Sequence, residues 1–334
     1  MGMFQCISQH CGIQHRRTDS VRCLTSAKRR LQAKVQTQTK CRATSMVPVL
    51  EWINDNMGTT VRNTSQVGGS AWSTGQMLDL EDGRKVFVKT NMSMGPEEMF
   101  AGEFEGLKAM YGTHTIRVPN VYHYGPVGQS GSYIIMEHLN FGGRASQTEL
   151  GQRLAMMHMA EPMVEEAKQG LFGFPVDNTI GSTPQPNRWT EDWVTFFAEQ
   201  RIRHQCQLTN DGKIVDLGEQ LIEKLDQFFV GVDVRPSILH GDLWSGNICA
   251  VDGEPTIFDP ACYYGHHEAE FGMSWCANFG SEFYQAYHEL IPKEQGYEER
   301  KQLYLLYHYL NHYNLFGGGY YRTAVSLLRG LVAL

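Results

Sequence analysis

The chain has 334 residues, 42% apolar and 19% charged, an ordinary globular balance and enough length for two lobes around a large core. No apolar run reaches the ~18 residues that a membrane-spanning helix needs. The formal charge of −7 is uneven: residues 1–45 carry nine Lys/Arg and one Asp, a net of +8, and the remainder carries a net of −15. An acidic folded portion argues against a basic nucleic-acid face and is compatible with amine-bearing substrates. Neither nucleic acid nor a membrane is expected as a partner.

Residues 1–45 are rich in Arg, Lys, Ser, Thr and Gln and nearly free of acids. That is the composition of an organelle transit peptide without the apolar core of a secretory signal; the plainer alternative is a disordered basic tail. A plastid destination is the expectation, with the cytoplasm as the alternative. Four of the eight cysteines (Cys6, Cys11, Cys23, Cys41) lie in this tail. Cys206, Cys249, Cys262 and Cys276 lack metal-type spacing and read as reduced, buried thiols.

Met46–Asn56 carries Val49, Leu50, Trp52 and Ile53 in the pattern of a short amphipathic helix. From Val61 to Thr90 the chain reads as β. Gln66–Ser73 is a Gly-rich turn containing Gly68 and Gly69, and Gln76–Leu80 and Lys85–Lys89 are strands joined by Glu81-Asp82-Gly83-Arg84. Backbone amides of a Gly-rich turn approach phosphate oxygens with no Cβ in the way, though an ordinary tight turn looks the same. Lys89 ends an apolar strand, where an ammonium costs free energy unless it is paired. In the following helix, Phe100, Phe104 and Leu107 mark the buried face; Glu103 sits beside it and Glu105 on the far side.

Ser132–Leu139 is a strand that changes character at its end, and Phe141-Gly142-Gly143 is a link. Beyond it the reading is mostly helical. Gln147–Met159 places Leu150, Leu154, Met157 and His158 on one side, with His158 a packed histidine, and Trp189–Cys206 and Ile214–Phe229 are two scaffold helices. Phe172–Gln185 reads as a polar, Gly-containing loop.

The most informative segment is Leu239-His240-Gly241-Asp242-Leu243-Trp244-Ser245-Gly246-Asn247-Ile248, followed by Ile257-Phe258-Asp259-Pro260. A lone Asp-x4-Asn is no more than a polar turn between strands. Here it is joined by a hairpin signal, Val251-Asp252-Gly253-Glu254, and by a second carboxylate ending an apolar run. Kinase-like phosphotransferases use this constellation. One Asp accepts the proton of the attacking hydroxyl; the Asn and the later Asp hold magnesium on the nucleotide phosphates. That chemistry needs positioning and charge neutralisation more than covalent help.

His240–Asn247 together with Asp259-Pro260-Ala261-Cys262-Tyr263-Tyr264-Gly265-His266-His267-Glu268-Ala269-Glu270 resembles the fructosamine/ketosamine 3-kinase family. The His-Gly-Asp…Asn pattern is shared with aminoglycoside and choline kinases; the Trp-Ser-Gly and Asp-Pro-Ala-x-Tyr-Tyr-Gly-His strings are selective. The resemblance implies an α+β, protein-kinase-like (aminoglycoside phosphotransferase-type) two-lobe fold. A β-rich lobe would run over residues 46–136, a link over 137–143 and a mostly helical lobe over 144–334. It implies ATP and Mg2+ as cofactors, Asp242 as the catalytic base, and Asn247 and Asp259 as metal ligands. Gly68, Gly69, Lys89 paired with Glu103, and the connector Met136, Glu137, His138 and Leu139 would bind ATP.

The resemblance further implies phosphorylation at O3 of a ketosamine (ribulosamine or erythrulosamine ahead of fructosamine) on glycated lysine or protein, and so deglycation. Many relatives carry Gly-Gly-Gly-Cys in the phosphate loop where this chain has Gly68-Gly69-Ser70-Ala71. Glu268 and Glu270 are either helix-start acids or substrate ligands. The aromatic stripe of Arg300–Gly319 reads as core, with His308 or His312 available to face the sugar. The alternatives are another small-molecule kinase of the same fold, or a non-catalytic nucleotide-binding scaffold. An intact Lys89, Glu103, Asp242, Asn247 and Asp259 argues against the scaffold.

Overall fold

Alternating burial over residues 77–80 and 85–88, and continuous burial over residues 131–136, build the sheet of the first lobe. The computed structural model describes residues 46–334 except 70–72, 93–95 and 129; the transit-peptide expectation and the tail cysteines lie outside the described residues. A helix over residues 46–57 (α1) buries Val49 and Ile53, as its pattern predicts. Five strands follow: β1 (Val61–Gly69), β2 (Thr74–Leu80), β3 (Lys85–Asn91), β4 (Val121–Val127) and β5 (Gly131–Glu137). They form one antiparallel sheet in the order β1-β2-β3-β5-β4. Leu78, Leu80, Val86 and Val88 are fully buried, and the two-residue period puts Lys89 on the other face of β3. The predicted β2–β3 turn is present: Gly83 has φ +89°, and Asp82 accepts from the Arg84 amide at 3.0 Å.

Between β3 and β4 lies α2 (Pro96–Tyr111), with Phe100, Leu107 and Met110 buried. It packs on β4 and β5 and also on the short strand Asn178–Ile180 of the second lobe. Two glycines one turn apart allow that contact. A Cβ on Gly102 would lie 2.3 Å from the Asn178 Cβ, and one on Gly106 would lie 2.7 Å from the Cys262 Cβ.

The second lobe is mostly helical. The helix α3 runs from Gln147 to Met159 as predicted, capped by Ser146, and packs on the helix Ser281–Leu290. The expected helix Trp189–Cys206 is instead an α-helix Trp193–Phe197, a π-helical stretch Ala198–Arg203 and an α-helix His204–Leu208. Asp192 caps the first piece by accepting from the Thr195 amide at 2.6 Å, and Thr190 bridges to Phe172, so residues 189–192 cannot be helical. The π stretch carries Arg201, fully buried, with its guanidinium 4.1 Å from the Tyr263 ring and 2.7 Å from the Pro186 carbonyl. The expected helix Ile214–Phe229 likewise divides into Gly212–Ile222 and a 3-10 turn Leu225–Phe229.

The aromatic stripe lies on one helix, Tyr297–Phe316. Its buried Arg300 makes a two-pronged ion pair with buried Glu268, at 2.7 and 2.8 Å. No helix among the described residues is long and apolar enough to cross a membrane. Of the four cysteines, Cys206 and Cys262 are buried as expected, whereas Cys249 and Cys276 are half-exposed.

Burial leaves several histidines neutral, and His267 and His308 are each pushed down to about 3. An unfolded imidazole titrates near 6.5, so below that pH the unfolded chain binds protons that the folded chain refuses. Stability from these groups is complete above pH 6.5 and declines as the pH falls toward 3. Replacing His308 by Gln removes one such group. Between pH 7.5 and 5.5 the stability difference between wild type and His308→Gln, measured by urea unfolding, should move about 1 kcal/mol in favour of the variant. A difference independent of pH would show that His308 is not held neutral.

Candidate active site

The catalytic-type loop leaves the short strand Ser237–Leu239, which pairs with Tyr263–Gly265. Its shape is set by backbone contacts. Gly241 has φ +78°, and a Cβ there would sit 2.2 Å from the Ala261 carbonyl oxygen, so no other residue fits. His240 is buried; its Nε2 donates to the Phe258 carbonyl at 2.9 Å while its Nδ1 accepts from the Asp242 amide at 3.2 Å. Burial lowers its pKa, which suits this neutral tautomer. Gly246 has a local cause of its own. The Trp244 ring lies across it, and a Cβ would meet the indole at 2.2 Å. The Trp-Ser-Gly string is thus one steric unit.

After the loop, Ile248–Val251 and Glu254–Ile257 form the predicted hairpin, turning through Asp252 (φ +54°) and Gly253 (φ +86°). It ends at Asp259, itself held in the left-handed region at φ +59°. For a non-glycine residue this is a strained conformation of the kind concentrated at functional sites.

These elements converge on one cavity of about 490 Å³. Lys89, Glu103, Asp242, Asn247 and Asp259 all line it. Lys89 Nζ donates to Glu103 at 2.6 Å and also to Asp259, joining β3, α2 and the second lobe through one ammonium. Burial alone would lower the Lys89 pKa, but Asp259 and Glu103 outweigh it and hold the ammonium above its ordinary range. Asn247 Nδ2 donates to the Asp242 carbonyl at 2.8 Å and to the Asp259 carbonyl at 3.3 Å, leaving its Oδ1 as the atom to offer a cation. Asp242 is half-buried; desolvation and the nearby Asp259 push its carboxyl up to about 8, against a hydrogen bond from Asn247.

The other expected nucleotide contacts are not brought into this cavity. Met136 is buried in the core. The Glu137 amide donates to the Asn120 carbonyl at 2.8 Å and its carboxylate pairs with Arg117 at 3.0 Å. Glu137 and His138 line a separate hollow with Arg84, Lys85 and Tyr122, and Leu139 lines neither. Gly68 and Gly69 close β1 with φ +69° and +145°, and Ser73, just beyond the loop, reaches the cavity. Residues Ser70 and Ala71 lie outside the described residues.

Two groups that the sequence left open are resolved. Glu268 is committed to Arg300, and Glu270 is the anchor of the loop. Fully surrounded by protein, Glu270 accepts from the His240 amide at 2.7 Å, the Gly241 amide at 3.0 Å and His158 Nε2 at 3.2 Å; His158 in turn meets the Tyr287 hydroxyl at 2.7 Å. Burial would raise the Glu270 pKa, but His158, His240 and these donors bring it below the ordinary value. Neither acid is a substrate ligand. The polar loop Phe172–Gln185 also has structure: Asn178–Ile180 pairs with Thr183–Gln185, and Asn178 and Gln185 donate to the Cys262 and Ala261 carbonyls at 2.7 and 3.1 Å, clamping the chain after Asp259. Nothing in the spacing of Asn178 or Gln185 marks them for this role. Of the two candidate histidines, His312 lines the cavity and His308 does not.

A small antiparallel sheet lobe, a helical lobe and a lysine-bearing strand facing an Asp…Asn…Asp set define a protein-kinase-like fold of the phosphotransferase class. A family model described as Fructosamine kinase matches residues 46–333, and the chain belongs to that family. It is 51% identical over 288 residues to the chloroplastic protein-ribulosamine 3-kinase of Oryza sativa subsp. indica, covering 84% of this chain and 82% of that protein. The ketosamine-3-kinase of Mus musculus is 38% identical, covering 81% and 96%. Among solved structures, a Haemophilus somnus protein assigned as a fructosamine-3-kinase superposes with TM-score 0.74 at 28% identity, over 85% of this chain and 96% of that one. Aminoglycoside phosphotransferase APH(4)-Ia, in ternary complex with AMP-PNP and hygromycin B, shares the fold (TM-score 0.55, 16% identity, 86% and 98% covered).

Glu270→Gln should expose its role. One oxygen becomes an NH2 donor facing either the His240 or the Gly241 amide, which leaves both that donor and the amide unpaired at roughly 1–3 kcal/mol per unpaired group. Chemical denaturation should show a loss of about 2–4 kcal/mol, and kcat should fall by about tenfold or more, because small displacements of reacting groups are expensive. Unchanged turnover in a destabilised variant would confine Glu270 to a purely structural part.

Proposed function

We propose that this chain is an ATP-dependent ketosamine 3-kinase acting on ribulosamine and related ketosamines carried by lysine or protein. The observation that carries the reading is the convergence of Lys89, Glu103, Asp242, Asn247 and Asp259 on one cavity in a chain of the fructosamine kinase family. Lys89, held by Glu103, meets the nucleotide phosphates. Asn247 Oδ1 and the Asp259 carboxylate supply hard oxygen ligands that suit Mg2+, which would neutralise charge on the phosphates. Main-chain amides around Gly68 and Gly69 are the further phosphate contacts of this reading, and the connector from Met136 to Leu139, which does not line the cavity, is its adenine edge.

In the reaction, the O3 hydroxyl of the ketose attacks the γ-phosphorus as the bond to the ADP oxygen breaks, and Asp242 accepts the O3 proton. A base must start unprotonated, and in the free chain burial and Asp259 oppose that at Asp242. Neutralising Asp259 would remove one of those causes and so shift Asp242 toward the carboxylate. The product bears phosphate, a good leaving group, on C3 next to the C2 carbonyl. Loss of a C1 proton gives the enaminol, phosphate then leaves C3 as the C1 imine forms, and water hydrolyses that imine, freeing the amine and a 3-deoxy dicarbonyl sugar.

Asp242→Asn should lower kcat by about 10²–10⁴-fold, the usual range for a general base, while ATP affinity by calorimetry stays near normal. Near-normal turnover on ribulose-lysine would refute this assignment. The basic, acid-poor segment 1–45 and the chloroplastic names of the plant relatives support a plastid location for this protein. A fluorescent reporter fused behind residues 1–45 should enter isolated plastids and be shortened there; retention outside the organelle would favour the cytoplasm.

A further inference from the structure

One part of the cavity plays no role in phosphate chemistry, and it is aromatic. Trp275, in the short helix Ser274–Ala277, and His312 and Phe316, in the last turns of Tyr297–Phe316, line it together with Trp244. The rings form a chain: Trp275 meets His312 edge-on at 5.5 Å, and His312 lies 5.6 Å from Phe316. The helix carrying Trp275 packs against the turn Ser245–Asn247, which places this wall beside the Asp242 loop.

Three of these rings are far more open than the rest of the aromatic stripe. Trp275 is 44% exposed, Phe316 60% and Trp244 42%, whereas Tyr304 and Tyr307 on the same helix as Phe316 are buried. Large apolar rings left open at a cavity that also holds charged groups are the usual mark of a recognition surface.

His312 adds one polar atom. Its Nδ1 donates to the His308 carbonyl at 2.8 Å, one turn back, and burial lowers its pKa. That bond places the proton on Nδ1 and leaves Nε2 as an acceptor. The wall therefore offers π faces and a lone pair, with no cation of its own. The open ring faces of this wall favour an alkylammonium over an anion or a neutral group.

We infer that Trp275, His312 and Phe316 are specificity residues that read the amine side of the acceptor. This rests on the ketosamine reading above and deepens it. A ketosamine differs from a free ketose by a secondary amine, protonated near neutral pH, on a flexible methylene arm. The arm crosses the faces of Trp275 and Phe316, and His312 Nε2 accepts an N–H of the ammonium. The Asp242 end of the cavity then sees only the ketose, whichever amine carries it.

The test compares two acceptors of equal length: ribulose-lysine, and the same compound acetylated on the bridging nitrogen and therefore neutral. Wild type should favour the charged acceptor in kcat/KM by about tenfold. In Trp275→Ala the KM for ribulose-lysine should rise about 5- to 20-fold, with kcat and the KM for ATP changing far less, and the preference for charge should largely vanish. Phe316→Ala should act in the same direction, and Trp275→Phe, which keeps an aromatic face, should restore most of the preference. Equal losses on both acceptors in Trp275→Ala, or a wild type that turns over both without preference, overturn this inference alone. A wild type that phosphorylates neither acceptor overturns the ketosamine reading, and this inference with it.

Discussion

The architecture closes around one buried ammonium. Lys89 projects from the face of β3 that also carries Phe87 and lies beside buried Ile134 and Met136 of β5, and an unpaired charge there would be prohibitive. Glu103 from α2 and Asp259 from the second lobe make it tolerable, so three elements far apart in sequence are pinned to one atom. Several other features serve that meeting. Asp259 accepts a left-handed backbone to reach it. Asn178 and Gln185 hold the chain that follows Asp259 by its carbonyls. The stability of such a pair is modest once desolvation is counted; what it secures is geometry.

A second carboxylate does for the backbone what Lys89 does for the side chains. Glu270 gathers the amides of His240 and Gly241 at the point where the loop turns, and His240 passes the constraint on by holding the Asp242 amide and the Phe258 carbonyl. The loop that presents Asp242 and Asn247 is thus fixed from below by a fully buried network ending at His158 and Tyr287. Buried polar networks of this kind rigidify when every member is satisfied.

The elements with strong periodicity were legible in the sequence. The limits of α3 and the two hairpins through Gly83 and Gly253 follow from spacing and turn residues, and the cluster of Asp242, Asn247 and Asp259 follows from motif. Three things were not. The interruption of 189–206 came from a cap at Asp192 and a π turn that swings Arg201 inward, neither of which changes the apolar pattern. Glu270 and Glu268 look alike in sequence, two acids two residues apart, yet one meets backbone amides and the other a buried Arg300; only tertiary contacts separate them. The connector proposed to meet adenine would act through main-chain groups, which leave no side-chain signature, and the Glu137 carboxylate pairs with Arg117 and accepts from the Asn120 amide.

The glycines of α2 bear on control. Gly102 and Gly106 let the helix that carries Glu103 lie directly on Asn178 and Cys262, where any Cβ would collide. Swinging this helix outward, as a regulated kinase does when it breaks its Lys–Glu pair, would here leave a void along a seam that is filled backbone to side chain. Breaking the Lys89–Glu103 pair here would therefore mean parting this seam, and with it the contact between the two lobes, rather than swinging a single helix.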